Sequence, residues 1–438
     1  MKLTQVLEKA KAQGINDLIL KYGVSSSLDV NFVGGELQNT TFSNDFSFVA
    51  RGGIDGKLVS FSSDTLDNKT VELMVKTMKD QKNYTQSYDT DLIIDKPDFP
   101  YAKNKTYYSQ LTKLQVPDLV KIGEELSKAV ASKDPRIKNT EIEVGVSSSS
   151  SEFLNSKGLN LKSKSSYLIV SCQVVAEEGK ETVSDYVLKT YTNVKKVNVN
   201  KIADEVSKKT LAKLHGKAGV GGTKTCLLKP AAFDSIVSII TGHFSMFDVD
   251  RKMSLLVDKL DKKVFSDLLT IEEKPNTNDI FSESYDGEGY PTSNKVLVEK
   301  GVIKTYLYDQ EMAKKYNHVP TGNGYGSPVV HPGVSKIEIS SGETKEKDLI
   351  KSIADGYVIT SLTGGNAGID YQTGGFTLSA EGFYVKNGRI KYAVNQFTIG
   401  GDVISFLQNV IGLSDKQEDL FGGDKIPSAL VKDVVVSC

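Results

Sequence analysis

Four histidines are the natural place to look for chemistry in this chain, because imidazole serves as a metal ligand and as a proton carrier near neutral pH. His243 lies in TGHFSMFDVDRK, residues 241–252, at the end of an apolar helical pattern, with Asp248 and Asp250 just beyond. A compact zinc site needs two or three ligands on a rigid element, usually two histidines on one helix with a glutamate beside the first. His243 has no such companion and falls on the flank of the helix's apolar face. It reads as a histidine at the edge of a core, with a metal or catalytic role as the rarer alternative. His318 and His331 lie in the Gly- and Pro-rich loop YNHVPTGNGYGSPVVHPG, a separation that matches no compact metal spacing. His215 ends a lysine-rich helix and complements its dipole.

Other chemistries find less support. SLTGGNAGIDYQTGG, residues 361–375, has neither the GK[ST] of a phosphate loop nor a GxGxxG opening a helix, so its glycines read as tight hairpins and bulges. A second reading is that Gly364, Gly365, Gly374 and Gly375 let an extended peptide approach the backbone. Neither GxSxG nor SxxK occurs, so serine nucleophiles have no anchor. The lysine clusters KKVNVNK and KKTLAKLHGK read as solvated faces. Residues alone therefore assign this chain no catalytic set and no metal ligands.

The elements that must position these residues follow from periodicity. An opening helix carries Leu3, Val6, Leu7 and Ala10 on one face and stops at Gly14. Strand-like segments at 28–33, 46–52 and 57–63 come next, then a helix over 67–79. After a polar connector, 82–110, the order returns. A helix begins at Pro117, strands fall at 141–147, 151–156, 167–176 and 183–191, and a helix bearing Ile202 and Val206 closes the unit. Helix, strands, helix occurring twice predicts an α+β region over 1–218 with two related halves, 1–95 and 110–218. GKAGVGGTK, residues 216–224, is the clearest boundary. Beyond it, 222–438 reads as a β-rich domain, mostly antiparallel, with hairpins at EKG and KNG and a helix ending near Gly356. The fold class is α+β.

Bulk properties narrow the setting. The 438 residues carry a net charge of −1, which offers no overall attraction to nucleic acid or anionic lipid. No apolar run is long enough to span a bilayer, and the N-terminus reads as an amphipathic helix rather than a signal peptide. Cys172, Cys226 and Cys438 are odd in number and far apart, which predicts free thiols and a cytoplasmic home.

Several stretches resemble one family. TGNGYGSPVVHPGVSKIEISSGE (321–343), SLTGGNAGIDYQTGGFTLSAEGFYVKNGRI (361–390), NQFTIGGDVISFLQNVIGLSD (395–415), RKMSLLVDKLDKKVFSDLLTIEEKP (251–275) and VNFVGGELQNTTFSNDFSFVARGGIDGKLVSFSSDTL (30–66) look like TldD/TldE, also called PmbA or "modulator of DNA gyrase". The resemblance implies a cytoplasmic heteromeric zinc metallopeptidase acting on extended or unfolded peptides. TldD-type chains of that family carry HExxxH, and TldE-type chains lack it and complete the assembly. Anchored on Arg251-Lys252, the motif's second histidine falls at His243, while Ser238 and Ile239 occupy the first histidine and the glutamate. The resemblance thus implies a non-catalytic TldE/PmbA-type subunit, with no cofactor of its own and zinc in a TldD-like partner. A homodimer in isolation, a gyrase-directed regulatory protein and a self-sufficient metallopeptidase with a divergent site are the alternatives.

Overall fold

A computed structural model describes residues 1–98, 100–327 and 329–438, with Thr90 described through its backbone alone. The N-terminal region is built on one antiparallel sheet in the order β3-β2-β1-β4-β5-β6. Its strands are β1 (Asp17–Val33), β2 (Glu36–Ile54), β3 (Lys57–Ser63), β4 (Ile137–Asn155), β5 (Asn160–Glu178) and β6 (Glu181–Tyr191). Helices α1 (Leu3–Ala12) and α2 (Asn68–Gln81) flank the first three strands in sequence, and α3 (Val116–Ala131) and α4 (Val199–Leu211) flank the second three. The first strands of the two triplets, β1 and β4, pair at the centre of the sheet.

Helix positions follow the sequence closely. Gly14, just past α1, has a φ of 81°, a left-handed value that glycine adopts without strain. Asp67 caps α2 by accepting the Thr70 N–H at 2.8 Å. Both helix pairs cover the same face of the sheet. Leu18, Leu20, Phe48 and Ala50 pack under α1 and α2, while Val30, Phe32, Val144 and Val170 pack under α3 and α4.

The strands differ from their sequence reading. The separate strands expected at 141–147 and 151–156 are one strand, β4, of 19 residues. The serine run 147–151 looked like a break because no apolar residue alternates there. In the sheet all of these serines but Ser150 face another serine, with Oγ–Oγ distances of 3.0 Å for Ser26 and Ser148, 2.7 Å for Ser149 and Ser165, and 2.7 Å for Ser151 and Ser163. Cross-strand hydroxyl pairs stabilise a polar strand that alternation cannot reveal.

The C-terminal region holds an 11-stranded sheet. It begins with β7 (Gly222–Leu228), followed by α5 (Pro230–Thr241), α6 (Met246–Asp250), β8 (Ile271–Glu273), β9 (Lys295–Glu299), β10 (Val302–Ile303) and α7 (Gln310–Lys315). The hairpin β11 (Gly324–Tyr325) and β12 (His331–Pro332) stands apart, and β13 (Ile337–Ile339) and α8 (Glu346–Ser352) follow. The remainder comprises β14 (Asp355–Thr363), α9 (Gly365–Gly368), β15 (Ile369–Asp370), β16 (Gly375–Lys386), β17 (Arg389–Asp402), α10 (Val403–Gln408), β18 (Val410–Asp419) and β19 (Lys425–Ser437). Strands β7, β14, β16, β17 and β19 close on themselves, because β19 pairs with both β17 and β7. The EKG and KNG turns are hairpins, with φ of 46° and 79° at Lys300 and Gly301 and 51° and 69° at Asn387 and Gly388. Pairing is mostly antiparallel, but β7 runs parallel to β14.

Candidate functional site

Helix α5 starts at Pro230, whose missing N–H costs nothing at a first helical position. Phe233, Ile236, Val237, Ile239 and Ile240 are buried in the C-terminal core. Ser235, Ser238 and Thr241 run along another face, and each hydroxyl bonds back to a carbonyl one turn earlier. Ser238 and Ile239, where the resemblance would put a first histidine and a glutamate, are an exposed serine and a core isoleucine, Ile239 being 1% exposed.

His243 lies in a short 3-10 turn after α5 and is 6% exposed. Its Nδ1 accepts the Leu255 N–H at 3.2 Å, so the ring proton sits on Nε2, which has no partner. The Ser254 hydroxyl donates to the His243 carbonyl at 2.6 Å. Burial pushes the imidazole below its usual pKa, against the pull of Asp248. His243 thus clips the 251–256 loop onto the helix end.

The structure places His331 close to this clip. It sits on β12, which packs against α6, and its ring lies 3.9 Å from that of Phe247. The Arg251 guanidinium lies 3.9 Å over the same ring, so histidine and arginine sandwich the phenyl group. Asp248 acts electrostatically on both His243 and His331. His318 instead stacks on Tyr308 at 4.2 Å, and His215 meets Glu178 at 3.2 Å.

The four candidate glycines split into two pairs. Gly374 is buried at φ 77°, and a Cβ there would lie 2.7 Å from Leu255 Cδ1, beside the His243 clip. Its carbonyl accepts the Val403 N–H, and Gly375 pairs with Asp402 in the ladder. Gly364 and Gly365 form an exposed to half-exposed turn opening α9.

A second set of residues, invisible to motif reasoning, joins the two regions. In SYDGEGYP, residues 284–291, Asp286 and Glu288 are both buried. Asp286 accepts the N–H groups of Glu288 and Tyr290 at 2.9 Å and of Gly324 at 2.8 Å. Glu288 accepts the Gln310 N–H at 2.9 Å and lies 3.6 Å from Arg51, which reaches across from β2. Asp309 caps α7 by accepting the Met312 N–H at 2.8 Å. Burial raises all three carboxyls, and Asp309 reaches about 6. Lys21, on β1, is pushed down by burial and drawn up by Asp286. The glycines make this fit: a Cβ at Gly324 would lie 2.7 Å from Glu288 Oε2, and one at Gly289 would lie 2.7 Å from Phe153. Two acids spaced by single glycines in a turn were the signal available in the sequence.

The residues present do not fit zinc. Among the described residues no group of three or more His, Cys, Asp or Glu side chains converges as a metal site, and with Nδ1 taken by the Leu255 N–H His243 has a single ring nitrogen, Nε2, left to offer. What the arrangement can do is clamp the sheet against the C-terminal domain and position polar groups between them.

Comparison with known proteins fits this architecture. The profile of the PmbA/TldA metallopeptidase C-terminal domain matches residues 221–438, and that of the central domain matches 110–214. This chain belongs to the PmbA/TldD metallopeptidase family. The metalloprotease PmbA homolog of Haemophilus influenzae is 25% identical over 420 residues, covering 92% of this chain and 90% of the relative. The PmbA homolog of Buchnera aphidicola is 29% identical over 294 residues, 65% of this chain and 62% of its own length. TldE from Thermococcus kodakarensis shares the fold with a TM-score of 0.86, at 20% identity and full coverage of both chains.

Proposed function

We propose that this chain is the TldE/PmbA-type, non-hydrolytic subunit of a cytoplasmic metallopeptidase complex, with zinc held by a TldD-like partner. The observation that carries this reading is the replaced donor set on α5: Ser238 bonds its own helix, Ile239 sits in the core, and His243 spends Nδ1 on Leu255. A zinc hydrolase needs two or three protein ligands and an open position, and this helix end offers one buried nitrogen. In this reading the chain walls the chamber in which extended peptides are cut, and the turn at Gly364 and Gly365 is open to peptide backbone, whereas Gly374 and Gly375 shape a turn.

Mixing the chain with its cognate TldD-type subunit tests this. Co-elution and increased cleavage of an unfolded peptide are expected, and both should survive His243→Ala. Loss of cleavage with His243→Ala, with the complex still formed, would refute a non-hydrolytic role. Absence of both complex and stimulation would refute the subunit reading.

A further inference from the structure

A groove of ≈ 870 Å³ lies between strands β4 and β5 on one side and residues 278–287 on the other. Its volume falls in the range of natural ligand sites. Lys103, Lys105, Lys162 and Lys164 line it, and all four are exposed. That is a local excess of positive charge in a chain of net charge −1. Among the described residues, Lys103, Lys105 and Lys164 have no carboxylate within salt-bridge distance, and Lys162 lies 3.8 Å from Glu152.

Two of the four charges rest over aromatic faces. The Lys105 ammonium lies 5.1 Å over the ring of Tyr108, and that of Lys164 lies 5.7 Å over Tyr107. The wall carrying Lys103 and Lys105 is fixed to both regions, since the Thr106 hydroxyl donates to the Lys164 carbonyl at 2.5 Å and the Lys105 N–H to Asn278 at 2.7 Å. The two acids of the lining are already engaged: Glu283 accepts the Tyr325 hydroxyl at 3.0 Å, and Asp286 holds three backbone N–H groups. The hydroxyl-paired Ser151 and Ser163 contribute a low, polar floor to the groove.

We propose that this groove binds an extended acidic peptide segment, whose Asp and Glu side chains pair with the four lysines. This rests on the peptide-handling reading given above and narrows its substrate class. A floor of small hydroxyls accommodates a flat extended chain, and alternate side chains along it recur about every 7 Å. Charge-assisted pairs of this kind set specificity and capture rate. A single-stranded nucleic acid fits less well, because the Lys164 ammonium already occupies a face of Tyr107 in the lining on which a base would stack.

The test is fluorescence anisotropy on the full chain with a labelled peptide of repeated Gly-Asp-Glu-Ser, compared with its Gly-Lys-Lys-Ser counterpart and an oligothymidylate of matched length. Binding of the acidic peptide is expected to be at least about tenfold tighter than either competitor and to weaken as salt rises from about 50 to about 300 mM. Changing all four lysines to glutamine should remove that preference, whereas changing all four to arginine should keep it, which separates charge from misfolding. Equal binding of acidic and basic peptides, a glutamine variant that binds like the parent, or tighter binding of the oligonucleotide would each overturn the proposal. Cleavage of a neutral peptide by the mixture with the cognate catalytic subunit is the separating control. If it rises while the acidic preference is missing, only the groove assignment falls.

Discussion

Asp309→Asn isolates one carboxyl of the inter-region cluster and makes a prediction that depends on pH. Asp309 is 2% exposed, and burial, with the nearby Glu311, raises its pKa from 3.8 to about 6 against the Met312 N–H and Arg51. A carboxyl raised on folding contributes its full stability below its unfolded value and loses it as pH climbs through its folded value. Two pH units at about 1.4 kcal/mol each put the loss at about 3 kcal/mol once Asp309 is ionised. Asparagine keeps an acceptor for Met312 and caps helices as well as aspartate, so the substitution removes charge without removing the cap. The variant should match the parent within about 0.5 kcal/mol near pH 4 and exceed it by about 2–3 kcal/mol near pH 8. Urea unfolding followed by far-ultraviolet circular dichroism suits a chain with no tryptophan. A gain independent of pH, or an asparagine variant weaker than the parent near pH 8, would refute the claim that burial of charge dominates at this position.

Two further outcomes follow from packing and burial. Gly374→Ala must place a Cβ 2.7 Å from Leu255 and 3.0 Å from Val403 at a φ of 77°. Left-handed strain and overpacking together should cost about 2–4 kcal/mol, read as a lower urea midpoint, and an unchanged midpoint would show that the turn relaxes freely. Burial pushes the Cys172 and Cys226 thiols up to about 12, whereas Cys438 is exposed. A thiol reagent near pH 8 should therefore modify one cysteine in the native chain and three after denaturation, and rapid labelling of two or more native thiols would contradict that burial.

Much of the fold was legible because helices announce themselves through an apolar stripe and a stop. α1, α2 and α3 fall within a few residues of their expected places, each marked by Gly14, Asp67 or Pro117. The strands were harder, since Ser147 to Ser151 carry no alternation and their partners lie far away in sequence. Helix α7, 6 residues long, is too short to show an apolar stripe between the strand-like run 295–309 and the loop after it, and is fixed by its Asp309 cap and by burial of Met312 and Ala313. At the site, the lone His243 was readable from the sequence, because metal chemistry depends on residue identity at short spacing. Its neighbourhood with His331 was not, since 88 positions separate them and only the packing of α6 on β12 brings them close. Arg51 was unreadable for the same reason, being an ordinary surface residue type until the two regions meet, and only the glycine spacing in SYDGEGYP hinted at its partner Glu288.

The paired serines at the centre of the N-terminal sheet also bear on how that sheet finds its alignment. Ser25, Ser26 and Ser27 face Ser149, Ser148 and Ser147, and a shift of two positions would bring them opposite Ser151, Ser150 and Ser149. The middle of β1 therefore carries almost no information about where β4 should stop. Alignment has to be enforced at the ends, where Phe32 meets Ile142 and Lys21 meets Phe153. A slip of two would preserve every face yet carry Lys21 about 7 Å along the sheet and away from Asp286. The chain thus behaves like a ruler with its middle graduations erased, read only at its two ends, and each end is set by a different half of the molecule.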